Sequence, residues 1–194
     1  MIFVVSKFLS PADCQRLRAI YEEGLRRGRF RPEGTTHSTV IGLEYVTREE
    51  PFAHLYKEVG ARLREQFSLP PLGLDYYAYT RMLPGSSHPL HADALTLDGR
   101  PNHTPYRVAS AMVYLSESNL DFGGGWLQFP KLGVKVRERV GLMTGFLTDL
   151  EYQHTVPEVT WGVRDALAIW FRRADRPPVP APAKDREMYG VETK

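Results

Sequence analysis

The sequence predicts a mainly β protein with N-terminal helices, an α+β chain whose β part is a sandwich, a barrel or a jelly roll. Helical periodicity is confined to residues 1–70, and after Pro71 the apolar residues alternate in short segments separated by Gly, Pro or Asn. A chain of 194 residues can bury a core without a disulfide or a structural metal. We therefore expect a single domain over residues 1–174, with a helical part at 1–70 and a β core at 74–172.

The N-terminal part contains a predicted strand and two predicted helices. Residues 2–5 are apolar enough for a short strand. Ser10 is a suitable N-cap and Pro11 suits the first helical position, so the first helix should begin there and end near Gly28. A second helix is predicted from about residue 51 to residue 67, because apolar residues recur there at helical spacing and prolines follow.

The β core is predicted as a series of short strands. Each alternates apolar and polar residues between turn-forming residues, and together they cover residues 74–83, 107–115, 126–129, 134–137, 142–147, 154–160 and 163–171. The final segment, 175–194, is rich in proline and polar residues. We expect it to be an extended tail or linker, either free or docked on a partner.

Composition narrows the classes of function. The net charge is +2 and the basic residues are scattered, so no basic face for nucleic acid is predicted. Cys14 is the only cysteine, which excludes an intrachain disulfide and thiolate metal sites. The sequence has no signal-peptide pattern and no apolar run close to the ~20 residues that span a bilayer. We therefore expect a cytoplasmic protein that binds no membrane, and the oligomeric state stays open.

The stretch SSHPLHADALTL, residues 86–97, concentrates potential metal ligands. Pro89 disfavours a helix here, and in an extended segment side chains two residues apart point to the same face. His91 and Asp93 would then project together as two corners of a coordination sphere. A His-x-Asp pattern also occurs by chance in polar loops, so the hypothesis needs a third ligand from elsewhere in the chain.

His154, at the start of a late predicted strand, is the candidate for that third ligand. Two histidines and one carboxylate form the facial triad that holds iron(II) in non-haem oxygenases and leaves coordination positions open. Considered alone, His154 is equally compatible with a hydrogen-bonded or surface histidine.

Arg164 lies ten residues beyond His154, in the last predicted strand. It shares a strand face with Ala166, Ala168 and Trp170, and an arginine in such a row is costly to bury unpaired. A carboxylate ligand would pair with it through a forked hydrogen bond. A keto-diacid that chelates iron at one end and contacts this arginine at the other fits the pattern, and 2-oxoglutarate is such a molecule.

These segments resemble the iron(II)- and 2-oxoglutarate-dependent dioxygenases, and among them the catalytic domain of leprecan-type prolyl 3-hydroxylases. The similarity runs in order over roughly residues 74–172, through YYAYTRML, SHPLHAD, TPYRVASAMVYLSES, DFGGGWLQF, QHTVPEVTWGVR and ALAIWF. It implies a double-stranded β-helix, the jelly roll also found in cupins. It also implies that His91, Asp93 and His154 bind iron, and that Arg164 holds the far carboxylate of 2-oxoglutarate. Tyr79 is then either a second cofactor contact or a core tyrosine.

The resemblance further implies a reaction. We expect hydroxylation of a prolyl residue in a peptide or protein, or of a proline-like substrate, with O2 consumed, 2-oxoglutarate decarboxylated to succinate, and ascorbate as a supporting reductant. Asp93 favours hydroxylation, because related halogenases need an open position where this carboxylate would bind. The alternatives are a hydroxylase of another free amino acid or a small natural product, and a non-catalytic, cupin-like metal- or ligand-binding module.

Overall fold

The computed structural model describes residues 1–27, 39–42 and 55–176, and for residues 39–42 the backbone only. The Pro-rich segment from residue 177, the predicted end of the first helix at Gly28 and the start of the second helix lie outside the described residues. The elements are β1 Phe3–Val5, α1 Pro11–Arg26, β2 Thr39–Gly42, α2 Leu55–Phe67, β3 Leu72–Met82, β4 His88–His91, β5 Arg107–Tyr114, β6 Phe122–Gly124, β7 Gln128–Phe129, β8 Val134–Lys135, β9 Met143–Leu147, β10 His154–Val156, β11 Val159–Gly162 and β12 Arg164–Arg173.

Helix α1 begins where the sequence predicts. The Ser10 side chain accepts a hydrogen bond of 3.1 Å from the backbone N–H of Asp13, and Pro11 occupies the first turn. The apolar stripe of the helix includes Leu17 and Tyr21, which are buried against the sheet. Within the described residues, no helix is long and apolar enough to cross a bilayer.

The larger sheet has six antiparallel strands in the order β1-β9-β5-β12-β3-β2. Strand β12 pairs with β3 on one side and with β5 on the other. Because side chains alternate across a strand, the sheet has two different faces. One face packs against both helices and forms a core cluster that includes Leu17, Val59, Leu167 and Ile169.

The smaller β layer covers the other face of the larger sheet. It contains a four-stranded sheet in the order β4-β10-β7-β8 and the two-stranded pair β11-β6. A second core cluster joins the two layers, with Tyr114 and Ala166 from the larger sheet and Phe129 and Val156 from the smaller one. Two facing antiparallel layers confirm the jelly-roll class predicted from the sequence.

The predicted strands differ from the structure mainly in their bounds. The segment 154–160 is divided into β10 and β11, because Pro157 has no N–H for the ladder. The segment 126–129 is reduced to Gln128–Phe129, and strands β2, β4 and β6 were not predicted. These elements have only two to four residues, too few for alternation to be recognised.

Candidate metal centre and buried arginine

His91, Asp93 and His154 converge at one point of the smaller β layer. His91 ends β4 and His154 begins the neighbouring antiparallel strand β10, where their Cα atoms are direct partners. Asp93 follows His91 by two residues. One potential ligand atom from each of the three side chains lies within 4.8 Å of the other two, and His91 Nε2 is 3.7 Å from Asp93 Oδ1. The structure thus brings together three side chains that are far apart in the sequence.

Backbone carbonyls orient both imidazoles. His91 Nδ1 is 2.8 Å from the carbonyl oxygen of Pro89, and His154 Nδ1 is 3.0 Å from that of Tyr152. A carbonyl only accepts hydrogen bonds, so Nδ1 carries the proton in each ring and Nε2 keeps its lone pair. This arrangement is the usual one for a histidine that ligates a metal through Nε2.

Asp93 is buried and ionised. Its burial would raise the pKa, but the neighbouring His154 and His91 rings and the hydrogen bond from Ser110 outweigh that effect and lower it. The Ser110 hydroxyl donates to Asp93 Oδ2 over 2.6 Å, while Oδ1 faces His91. Ser110 lies on β5, so the inward face of the larger sheet also supports the cluster.

His154 lies in an apolar environment. Its ring is 4.8 Å from that of Phe146 and 5.5 Å from that of Phe129, measured between centroids. Burial lowers the pKa of His154, although the Asp93 carboxylate opposes this shift. The neutral imidazole and the ionised carboxylate are the forms that bind a metal ion.

Arg164 begins β12 and is fully buried. It lies opposite Met82 of β3 and in the same row as Ala166, whose partner on β5 is Tyr114. All four belong to the inward face of the larger sheet. Gly125 approaches closely, with a positive φ of 61° and a position where a Cβ atom would be 3.4 Å from Arg164 Cδ.

Arg164 also has a carboxylate partner within the chain, which the sequence did not indicate. It pairs with Glu138, in the connection between β8 and β9. Arg164 Nη2 donates to Glu138 Oε1 over 2.8 Å, and Arg164 Nε donates to Oε2 over 3.0 Å. Glu138 could not be recognised beforehand, since a glutamate between Arg137 and Arg139 has the pattern of a solvated, charged segment.

Tyr114 is a second buried polar group near Arg164. Its ring centroid is 5.7 Å from Arg164 Cζ. Its hydroxyl makes no hydrogen bond of normal geometry to a described residue, and the hydroxyl of Thr144 is a polar neighbour. Burial raises the pKa of Tyr114, which keeps the phenol protonated and able to donate. The sequence did not distinguish this tyrosine from the others in the β strands.

Tyr79 lies on the opposite face of the sheet. It is the strand partner of Leu167, is fully buried in the core cluster that includes α1, and stacks on Tyr21 with ring centroids 4.2 Å apart. The structure therefore supports the alternative of a core tyrosine and corrects the expected cofactor contact. Strand alternation explains the difference, because Ala78 and Thr80, not Tyr79, belong to the inward rows.

The fold and this group of residues are those of a metal-dependent oxygenase, and comparison with known proteins gives the family. Residues 77–172, about half of the chain, match the family model of the 2OG-Fe(II) oxygenase superfamily. The strands from β3 to β12 therefore form a 2OG-Fe(II) oxygenase domain, whose cofactors are iron(II) and 2-oxoglutarate. Asp93, His154 and Arg164 all lie within the matched region.

The individual relatives are prolyl hydroxylases by name. Prolyl 3-hydroxylase 2 of Gallus gallus is 35% identical over 97 residues, which are 44% of this chain and 14% of that protein. Viral collagen prolyl hydroxylase from Paramecium Bursaria Chlorella virus-1 superposes with a TM-score of 0.66 at 20% identity, over 89% of this chain and 96% of that one. A Pseudomonas putida prolyl-4-hydroxylase gives a TM-score of 0.65 at 22% identity, over 89% and 92% of the two chains. The solved structures share the double-stranded β-helix fold.

The residues present fit both cofactors. Two imidazoles and one carboxylate suit ferrous iron and leave coordination positions open. The unpaired Tyr114 hydroxyl and the N–H groups of Arg164 that Glu138 does not occupy are suitable donors for a carboxylate.

Proposed function

We propose that this protein is an iron(II)- and 2-oxoglutarate-dependent hydroxylase that acts on a prolyl residue of a peptide or protein, or on a proline-like substrate. The observation that carries the proposal is the convergence of the ligand atoms of His91, Asp93 and His154 within 4.8 Å. The prolyl substrate is supported by the names of the relatives. Since the chain spans 14% of the length of the chicken relative, that part of the proposal depends on experiment.

In this proposal His91, Asp93 and His154 hold the metal ion, and Arg164 holds the far carboxylate of 2-oxoglutarate. When bound, iron(II), 2-oxoglutarate and O2 together supply an oxidant, with one oxygen atom going to the substrate and the other to succinate as CO2 is lost. The two backbone carbonyls fix the imidazoles with Nε2 towards the metal. Ser110 holds one oxygen of Asp93, so that the other oxygen is available as a ligand.

The chain's own residues also shield the inner part of the site from bulk water, whereas the His91 side chain is 40% exposed. Phe129 and Phe146 pack against His154, and Tyr114 and Met82 surround the guanidinium of Arg164. An apolar environment strengthens the pairing of Arg164 with a carboxylate and protects reactive species from side reactions. Asp93 as a ligand favours hydroxylation, because it occupies the coordination position that a halide would need.

The test is a turnover assay of the full chain with Fe(II), 2-oxoglutarate, ascorbate and O2. Proline-containing peptides, free proline and other free amino acids are supplied separately, and succinate and a substrate mass gain of one oxygen atom are measured. We expect proline-dependent succinate formation that Asp93→Ala abolishes. Asp175→Ala, which removes an exposed carboxylate at the end of the described chain, is the matched control and keeps activity.

Two other results of this assay would each favour one of the alternative functions. Oxygen transfer only to a free amino acid other than proline would replace the prolyl substrate and keep the reaction class. Absence of succinate formation under all conditions, with metal bound, would favour a cupin-like binding module and contradict the proposal.

A further inference from the structure

Glu138 occupies one edge of the arginine to which the proposed function assigns the cosubstrate. Arg164 and Glu138 have side-chain exposures of 1% and 0%, and their contacts are bidentate. Glu138 Oε1 also accepts a hydrogen bond of 3.2 Å from the backbone N–H of Leu127. The carboxylate is thus fixed from two sides, by the guanidinium of Arg164 and by the backbone of Leu127.

The opposite edge of Arg164 contacts no strong acceptor among the described residues. A guanidinium has five N–H donors, and Glu138 uses Nε and Nη2. The contact of Nη1 is with Met82 Sδ at 3.4 Å, and a thioether is a weak acceptor. The orphan hydroxyl of Tyr114 lies in the same region. A second carboxylate therefore has donors to meet without displacing Glu138.

A second carboxylate next to Arg164 would change the net charge of this buried site. Among the described residues, the titratable groups that face Glu138 are Arg164 and the neutral phenol of Tyr114. The buried pair is neutral, so a further carboxylate introduces a net negative charge. Two carboxylates that share one buried cation repel each other, and the repulsion is relieved when one of them takes up a proton.

We propose that Glu138 is a positioning residue that fixes Arg164 and weakens its hold on the cosubstrate, so that binding of 2-oxoglutarate transfers a proton from solvent to Glu138. The step changes one carboxylate into a carboxylic acid and alters no other bond. It rests on the proposed function, because it assumes that Arg164 receives the far carboxylate. Burial already raises the pKa of Glu138 above its usual value, although Arg164 opposes this shift.

The sign of the pH dependence follows from linkage. If the pKa of Glu138 is higher in the complex than in the free protein, affinity for 2-oxoglutarate is highest at low pH. It falls as the pH rises from the pKa of the free protein to that of the complex, because in this range only the complex carries the proton, and it is constant at higher pH. The slope approaches about tenfold per pH unit when one proton is taken up.

The experiment measures binding of 2-oxoglutarate to the full chain loaded with Mn(II), without O2 or substrate, by calorimetry in buffers of different ionisation enthalpy. We expect the wild-type protein to take up close to one proton per 2-oxoglutarate in the pH range between the pKa of Glu138 in the free protein and its pKa in the complex. We expect Glu138→Gln, which keeps an acceptor for Arg164 but removes the charge, to bind about tenfold more tightly at neutral pH and to lose the pH slope. Asp165→Asn is the matched control, since Asp165 holds Arg81 in the same bidentate way on the opposite face.

The outcomes separate this inference from the function on which it rests. Binding by the wild type without proton uptake would overturn the inference and leave the proposed function intact, and this measurement needs no variant to fold. Unchanged or weaker binding by a folded Glu138→Gln protein would also overturn it. Absence of any 2-oxoglutarate binding to the Mn(II)-loaded wild type would overturn both.

Discussion

His91 and His154 are direct cross-strand partners, with imidazole centroids 4.3 Å apart. The spacing between two of the three proposed ligands is therefore set by the backbone ladder between β4 and β10. Each ring is also oriented by a carbonyl of its own strand region. The geometry for a metal is consequently in place before a metal binds, and the side chains lose little freedom on binding.

Removing the hydroxyl that supports Asp93 should weaken metal binding. We expect Ser110→Ala to lower the affinity for Mn(II) about 10- to 100-fold. Asp93 Oδ2 would lose its hydrogen bond, and the other carboxylate oxygen, the proposed ligand, would no longer be held in a fixed direction. The measurement is a metal titration by calorimetry. Thr80→Val is the control, since Thr80 donates to the carbonyl of Ala166 in the same sheet and does not contact the three ligands. Equal metal affinity in both variants would contradict the role of Ser110.

The hydroxyl of Tyr114 should matter for the cosubstrate and not for the fold. We expect Tyr114→Phe to leave the free energy of unfolding nearly unchanged, because the buried hydroxyl makes no hydrogen bond of normal geometry to a described residue. Affinity for 2-oxoglutarate should fall about tenfold, as expected for a lost hydrogen bond to a charged group. Tyr77→Phe removes another buried, unpaired hydroxyl on the helix-facing side and should leave affinity unchanged. The same affinity in both variants would count against Tyr114.

The pair of Arg164 and Glu138 should show strong energetic coupling. We expect Arg164→Met to cost about 3–5 kcal/mol of unfolding free energy, because it leaves the Glu138 carboxylate buried without its partner. Adding Glu138→Leu should recover most of that loss, which urea unfolding and a double-mutant cycle can measure. Both variants should bind Mn(II) normally and lose 2-oxoglutarate. A double variant that is no more stable than Arg164→Met would show that the buried charge is not the cause.

The only cysteine should be unreactive in the native protein. Cys14 is buried on α1, and burial raises the pKa of its thiol to about 11. The thiol is therefore protonated at neutral pH, and the thiolate is the reactive form. We expect no alkylation by iodoacetamide in native buffer and complete alkylation in urea, measured by mass spectrometry. Rapid labelling of the folded protein would contradict this burial.

The sequence predicted the parts of the site that depend on local spacing. The His-x-Asp spacing and the alternation around Arg164 are both visible without a structure. Strand β4 ends at His91, so Asp93 lies just beyond the strand and not within an extended segment as expected. The roles of all four site residues stay predictions until metal and cosubstrate binding are measured, and so do the cytoplasmic location and the division at residue 174.

The residues that were missed depend on long-range pairing. Ser110 meets Asp93, and Glu138 meets Arg164, only because the fold brings together segments that are distant in sequence. Tyr79 and Tyr114 lie on opposite faces of the larger sheet. The face that each side chain occupies depends on strand register, which a single sequence does not contain. The sequence alone therefore indicates the three proposed ligands but not the residues that support them.

The central position of β12 also affects how such a site can change. Both edges of this strand are hydrogen-bonded, to β3 and to β5. Moving Arg164, at the start of this strand, would disturb the backbone hydrogen bonds of β12 with both neighbouring strands, so its position is fixed. Glu138 lies outside the strands, in the connection between β8 and β9, where substitution leaves both ladders whole. Under the proposed function, preference for one dicarboxylate over another is therefore most readily altered at position 138, with Arg164 left in place.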